Sequence, residues 1–518
     1  MRDHRTGESH SFLFWTCFVS LVATSFGFIS RAFMLDDWGK EFGLEPVQVG
    51  EIFGAGLWPF AISIVLISLF IDRIGYKAGM WFALVCHLVS GVMTILATGY
   101  HSLYWAAFVG ALGNGAIEAV INPVIATIKS KSKTKWLNIL HAGWPAGLAL
   151  AGVLTIALNA MGMHWKIKVA LIFIPVVVYG IMFLKCRFPV NERVAAGVSY
   201  RDMLAEAGGL GLFIVFVMMF VELGRVLTGF FMTEAITFPD PRAYLFVGLA
   251  AVVGFGTGIR VKAVIGRPLY ILFLLVMLLL ATTELGTDGW IKDLMAPAME
   301  LIGLSAGWIL VYTATIMTVL RFLVGPIMKV TRLSPLGVLA VSCVMVIAGI
   351  LWLSSISTSA ALAILIASTI YGAGQCFFWP TTLGVIAEQF PKGGALTLNA
   401  IAGVGMLGVG ILGGPWLGYV QNSTIESALV NESVALEQQV LGEERSSLFG
   451  PYRAIDQEKL DALGEAGEGL VEEVRTEAKA TALRKVVILP TLMLVFYLAL
   501  MVWNRRRGGY QPVQLDHG

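Results

Sequence analysis

Fourteen separate apolar runs, each close to the length that crosses the hydrocarbon of a bilayer, constrain this chain more than any other feature. At 1.5 Å of rise per residue, a ~30 Å core needs a helix of about 20 mostly apolar residues. Such runs fall at about 11–34, 48–71, 78–98, 103–128, 137–160 and 166–186. After a polar stretch at 187–208 come runs at about 209–233, 244–261, 267–290, 300–326, 333–354, 359–388, 394–420 and 485–503. They are numbered here as spans 1 to 14. Charged residues make up only 14% of the chain, against about 25% in soluble domains. The expected fold class is therefore an all-α polytopic membrane protein. Disordered, collagenous and disulfide-framework classes are excluded.

The first run follows Arg2 and Arg5, but it exceeds the 7–15 residue apolar core of a signal peptide and lacks a small-residue cleavage site, so it reads as span 1. Cytoplasmic loops hold the excess of Lys and Arg. That rule puts Arg73 and Lys77, Lys129 to Lys135, Lys185 to Arg193, Arg260 to Arg267, Lys329 and Arg332, Lys392 and Arg505 to Arg507 on the same side as the N-terminus. Both termini are expected in the cytoplasm, with the protein integral to a plasma or inner membrane. Spans 7 and 8 rest on length alone, because removing both leaves every later orientation unchanged. Residues 421–484 then lie outside; they are acidic, and 454–483 suits a solvated helix. Two glycosylation triplets, at Asn422 and Asn431, fall in this insert. The net charge of +2 implies no nucleic-acid partner, and the five cysteines lie in or beside apolar segments as packing residues.

An internal repeat with a register of 261 residues runs ungapped through two helix–loop–helix segments. Gly113 meets Gly374, Val124-Ile125-Ala126 meets Val385-Ile386-Ala387, Lys131 meets Lys392, Leu137-Asn138 meets Leu398-Asn399, and Gly147 and Gly152 meet Gly408 and Gly413. Two six-helix halves starting on the same side form a parallel repeat about a pseudo-two-fold axis along the membrane normal. The expected domains are a bundle at 1–190, a linker with two additional spans at 191–265, and a second bundle at 266–518 carrying the insert. Such symmetry places a solute cavity between the halves near the midplane and lets them rock about it.

The loop after span 2 reads Asp72-Arg73-Ile74-Gly75-Tyr76-Lys77. It resembles the G-x-x-x-D-R-x-G-R-K signature of the major facilitator superfamily, with Ser68 in place of the first glycine. Gly113 to Glu118 through Asn122-Pro123, followed by Leu137 to His141, is similar to the corresponding region of fucose:proton symporters and their relatives. Those symporters also carry an acid in helix 1, where this chain has Arg31-Ala32. The resemblance implies alternating access, no cofactor, a monomer, and symport of a monosaccharide or similar solute with a proton, sodium being the other coupling ion. It also implies that Asp72, Arg73, Gly75 and Lys77 form a conformational gate at the cytoplasmic face.

An acid deep in an apolar helix costs about 2.5–3.5 kcal/mol on insertion scales and is a functional candidate by default. Glu118 lies near the middle of span 4, and Asn114, Glu118 and Asn122 recur every four residues on one helix face. Desolvation disfavours a charged carboxylate, so Glu118 is the expected proton carrier. On span 5, His141 lies three residues from Asn138 and from Trp144. With Asn114, Asn122 and Asn399, these are candidate solute ligands. Tyr371, Gln375 and Trp379 recur at four-residue spacing on span 12, where an aromatic ring and an amide suit a sugar. Arg31 is expected near the outer boundary as a vestibule residue, a solute-facing cation or a snorkelling residue, and Glu284 and Asp288 at the outer end of span 9 as a gate or solvated rim.

Gly403 to Gly408 matches G-x-G-x-x-G, but inside an apolar run with no preceding strand, so helix packing explains it. The chain has no nucleotide loop, zinc helix or catalytic constellation, and an ion gradient is the expected energy source. Transport of a nucleoside, carboxylate, drug or peptide, and a non-transporting nutrient sensor that signals through 421–484, are the other readings.

Overall fold

The computed structural model describes residues 4–232, 236–287, 290–291, 295, 307–356, 360–432 and 434–515. Within them are fourteen helices long and apolar enough to cross a membrane. Spans 1 to 6 are His10–Ala32, Val47–Ile74, Tyr76–Ile95, Tyr100–Ile128, Ser130–Ala160 and Trp165–Leu184. The two additional spans are Tyr200–Phe231 and Pro241–Val261. Spans 9 to 14 are Pro268–Gly286, Gly307–Thr331, Pro335–Leu353, Leu362–Gln389, Pro391–Glu432 and Glu477–Arg505.

The repeat is visible in the helix ends. Span 4 stops at Ile128, a 3₁₀ turn covers Ser130–Ser132, and the next helix starts at Lys133. Adding 261 to each number gives Gln389, Pro391–Gly393 and Gly394, where span 12 stops, a second 3₁₀ turn lies, and span 13 starts. Packing follows the same rule. Span 1 lies on spans 5 and 6, and span 4 on spans 2 and 3; span 9 lies on spans 13 and 14, and span 12 on spans 10 and 11. The halves meet through spans 2 and 13 and spans 5 and 10, and again through spans 5 and 12 and spans 4 and 13. Each of these two sets is a pseudo-two-fold pair. Span 7 leans on spans 9 and 13, whereas span 8 packs mainly on span 7.

Several spans are interrupted, spans 2, 5, 9 and 12 among them. Span 2 breaks between Ala55 and Trp58, span 5 between His141 and Gly143, and span 12 between Gln375 and Phe378, while span 9 ends in a π-turn at Thr282–Gly286. Pro59, Pro145 and Pro380 each follow one of the three breaks, as expected of a residue that cannot donate to the preceding turn. In a bilayer, irregular backbone is tolerated only where protein or a cavity takes up the freed groups.

Two expectations need correction. The seventh helix begins at Tyr200, inside the stretch read as linker, and kinks at Gly208 (φ 70°, ψ 175°). The kink frees the N–H groups of Gly209 and Leu210, which donate to the Ala263 and Val264 carbonyls at 2.9 and 2.8 Å. Within the insert, 454–483 is largely helical (Gln457–Asp461 and Gly464–Val486), but ahead of it the strands Leu441–Ser447 and Gly450–Ile455 form an antiparallel hairpin that the sequence reading did not contain. This hairpin and its flanking helices enclose Ile425, Leu429, Val440, Leu441, Leu460, Val471 and Ala478. Arg453 donates to Glu426 at 2.8 Å and also to Glu437.

A Cβ on Gly208 would lie 2.2 Å from the Gly266 Cα, on a residue that already has positive φ, whereas one on Gly248 would meet nothing within 4 Å. Gly208→Ala should therefore destabilise the protein by more than about 1 kcal/mol, and Gly248→Ala should be neutral or slightly stabilising. Thermal unfolding in detergent checks the contrast.

Candidate functional site

The interruptions of spans 5, 9 and 12 border a cavity of about 80 Å³ between the halves. Its polar lining is Glu118 of span 4, His141 of span 5, Glu284 of span 9 and Arg321 of span 10, and its aromatic walls are Phe60, Trp144 and Trp379. Glu118 and Trp379, which share one register position of the repeat, face this space together.

Arg321 is almost fully buried, at 3% exposure, and all three of its nitrogens are engaged. Nε donates to the Cys376 carbonyl at 2.7 Å, Nη1 to the His141 carbonyl at 2.8 Å, and Nη2 approaches Glu284 Oε1 at 3.4 Å. In an unbroken helix those carbonyls would accept from the N–H groups of residues 380 and 145, and both are proline. Span 4 repeats the arrangement: Pro123 removes the helical donor to the Ala119 carbonyl, which accepts from Asn399 Nδ2 of span 13 at 3.2 Å. The Ala387 carbonyl, four residues before Pro391, accepts from Lys133 Nζ at 3.1 Å. Three of these four carbonyls are served from the opposite half.

Glu118 Oε2 accepts from Asn122 Nδ2 at 2.7 Å and lies 4.0 Å from His141 Nε2. Asn122 also donates to Asn399 Oδ1 at 3.1 Å and meets His141 Nε2 through its own Oδ1 at 3.0 Å. Asn399 Nδ2 donates to Ser68 Oγ at 2.8 Å. Asn122 and Asn399 thus hold the proton candidate in place but are not among the residues lining the cavity. The repeat partner of Asn399 behaves in parallel, since Asn138 Nδ2 reaches Thr381 of span 12 at 3.1 Å.

Several expected placements differ. Asn114 turns away, its Oδ1 accepting from His87 Nε2 of span 3 at 2.9 Å. Tyr371 and Gln375 line a separate cavity of about 220 Å³, because the break at Cys376 and Phe377 ends the helical face they would share with Trp379. Tyr371 donates to the Thr283 carbonyl at 2.9 Å. Glu284 is not at a solvated rim: the π-turn carries it inward, 4% exposed, beside Arg321. Asp288 lies outside the described residues. Arg31 packs within the first half, with Nη2 2.5 Å from Ser90 Oγ. Arg321 and Phe60 escaped the sequence reading. The cost of a charge in an apolar run, which singled out Glu118, applies equally to Arg321.

At the lysine- and arginine-rich end the halves are joined. Thr134 donates through N and Oγ1 to Glu388 Oε1 at 2.9 and 2.8 Å, and Lys133 pairs with Glu192 at 2.5 Å. The C-terminal tail supports the same acid: Tyr510 donates to Glu388 Oε2 at 2.7 Å, and the Val513 N–H donates to its carbonyl at 2.8 Å. Asp72 accepts from Arg193 Nη2 at 2.5 Å, and a Cβ on Gly394, at the start of span 13, would lie 3.2 Å from Arg193 Nε. Gly75 turns the chain between spans 2 and 3 at φ 84°. Arg73 lies over the Tyr200 ring at 4.3 Å.

Two six-helix halves around a buried, charged, aromatic-walled cavity define a membrane transporter scaffold. The Major Facilitator Superfamily profile matches residues 15–415, and the chain belongs to that family. It is 25% identical over 175 residues to a hexuronate transporter of Bacillus subtilis, a match covering 34% of this chain and 40% of that one. The shared segment is thus well under half the length of that curated relative. Among solved structures, the proton:xylose symporter XylE superposes with a TM-score of 0.60 at 12% identity, covering 95% of this chain and 96% of that one. The Escherichia coli fucose:proton symporter FucP gives 0.51 at 16% identity, covering 92% and 98%.

Two predictions follow from this geometry. Pro380→Ala supplies an N–H for the Cys376 carbonyl, so Arg321→Gln should cost less stability in that background. A double-mutant cycle on thermal unfolding should give a coupling of about 1 kcal/mol; additive losses would count against the shared carbonyl. Truncation after Gly509 should loosen the joined end, read as faster alkylation of Leu398→Cys in a cysteine-free background, with Glu388→Ala giving a larger effect.

Proposed function

We propose that this chain is a proton-coupled secondary transporter that takes up a small cyclic solute bearing a carboxylate, with Glu118 as the proton site and Arg321 as the anion anchor. The supporting observation is the composition of the central cavity, which holds two carboxylates and one guanidinium. With His141 neutral and both acids ionised, the cavity carries a net charge of −1. Protonating one acid makes it neutral. A solute carboxylate beside Arg321 adds another negative charge to a space walled by Phe60, Trp144 and Trp379, and taking up a proton compensates it. Charge balance thereby couples solute to proton, and the resemblance to a hexuronate transporter fits this chemistry.

In this reading the two halves rock about the cavity, and the end joined by Thr134, Lys133 and Glu388 is the cytoplasmic gate. The present cavity is smaller than the ~300 Å³ at which ligand pockets begin, so the solute enters a more open state. A neutral monosaccharide is the second reading. It is favoured by the indole faces of Trp144 and Trp379, which can lie against the apolar face of a sugar ring.

Purified protein in liposomes should accumulate labelled hexuronate under an inward proton gradient. Glu118→Gln should abolish accumulation while sparing solute exchange, and Arg321→Gln should weaken uronate binding by more than tenfold. Equal competition by neutral hexose and its uronate would favour the second reading, and uptake indifferent to the gradient would refute proton coupling.

A further inference from the structure

A second, larger cavity of about 290 Å³ lies outside the two-half interface, between spans 2 and 4 and the additional span 7. We propose that it binds the headgroup of a zwitterionic phospholipid, with the alkylammonium against aromatic faces and Glu51, and the phosphate beside Arg225.

The walls are chemically specific. Tyr100, Tyr104 and Phe230 succeed one another along the cavity, with ring centroids 6.0 Å apart for the first pair and 5.1 Å for the second. Trp58 lines the same space. Aromatic faces attract alkylammonium groups through the ring quadrupole, and cages of such rings recognise choline. Glu51 accepts from the Tyr100 hydroxyl at 2.5 Å, which fixes both groups at the rim. Arg225 is held by Glu222 through Nε and Nη2 at 3.0 and 2.5 Å, and its side chain is 44% exposed. Two carboxylates and one guanidinium give the region a net charge of −1, which favours a ligand led by its cation and excludes an anionic head.

Position argues for a lipid source. The cavity is formed by the first three turns of span 2, the start of span 4 and the last two turns of span 7. It therefore lies at the end opposite the joined gate, at headgroup depth, where aromatic residues concentrate. Beside it Val47 and Phe231 are 70% and 84% exposed, surfaces suited to acyl chains. One wall is Gly54, where an added Cβ would meet nothing within 4 Å. The space exists because the outer end of span 7 faces spans 2 and 4, so it depends on an additional span that lies outside the two six-helix halves.

The test uses full-length protein in detergent, titrated with palmitoyl-oleoyl phosphatidylcholine, the matched phosphatidylglycerol, or soluble phosphocholine, with Tm as the readout. Phosphatidylcholine should raise Tm saturably because it binds the folded state, and phosphatidylglycerol should not. Gly54→Leu fills the cavity without removing a recognition group, and should raise the half-saturating lipid concentration about tenfold. Should that variant be poorly folded, Glu51→Gln at an exposed position should produce a comparable loss. Equal stabilisation by phosphatidylglycerol, or a wild-type response from both variants, would overturn the site. Equal stabilisation by soluble phosphocholine would assign it to a soluble zwitterion and overturn the lipid source.

Discussion

A backbone carbonyl that loses its helical donor inside a bilayer must find another one, because leaving it unpaired in hydrocarbon costs several kcal/mol. This chain places prolines where they remove such donors from spans 4, 5 and 12. The carbonyls of Ala119, His141 and Cys376 then accept from Asn399 and Arg321. The carbonyls of Ala119 and His141 are served from spans 13 and 10 of the other half, and that of Cys376 from span 10 of its own, so two of these three freed groups are satisfied only where the halves meet. The cavity borders the breaks of spans 5 and 12, so the requirement that permits those breaks also bears on where the site lies.

The same economy shapes the electrostatics. Arg321 is a charge far from water, and three partners from spans 5, 9 and 12 compensate it. Removing one partner of a buried pair costs about 3–5 kcal/mol. The polar interior is therefore dense in contacts and small in volume. Asn122 links Glu118, His141 and Asn399 in one hydrogen-bonded group. Any change of charge at Glu118 is thus felt by spans 4, 5 and 13 together. At the other level, Glu388 receives Thr134 from one half and the C-terminal tail from its own.

Much of the fold was legible in the sequence, because a transmembrane helix satisfies its own backbone and is specified by local composition. The fourteen runs and the 261-residue register reappear as fourteen helices and matched 3₁₀ turns. The site was legible only in part. Glu118, His141, Trp144 and Trp379, singled out from the sequence, line the cavity. Asn114 did not, because a four-residue stripe advances around a helix and its upper end met His87 instead. Tyr371 and Gln375 were separated from Trp379 by a break whose phase no periodicity reveals. Glu284 looked peripheral by residue count, but the π-turn carried it inward. The hairpin at 441–455 was missed because an acidic, polar segment hides the few apolar residues that pack beneath it.

The sequence by itself determined the number of spans, their duplication, the prolines that interrupt them and the unpaired cost of an acid in the fourth. These follow from local hydrophobicity and from which residues lack an N–H, and neither depends on a distant partner. Only the tertiary structure decided which donor takes each freed carbonyl. Arg321 is 180 residues from His141 and 37 from Glu284, and Asn399 is 280 from Ala119. The pairings of Arg321 with His141 and of Asn399 with Ala119 arise when the halves dock, and that of Arg321 with Glu284 when spans 9 and 10 pack, since a buried donor and a buried acceptor satisfy each other only after both have lost access to water.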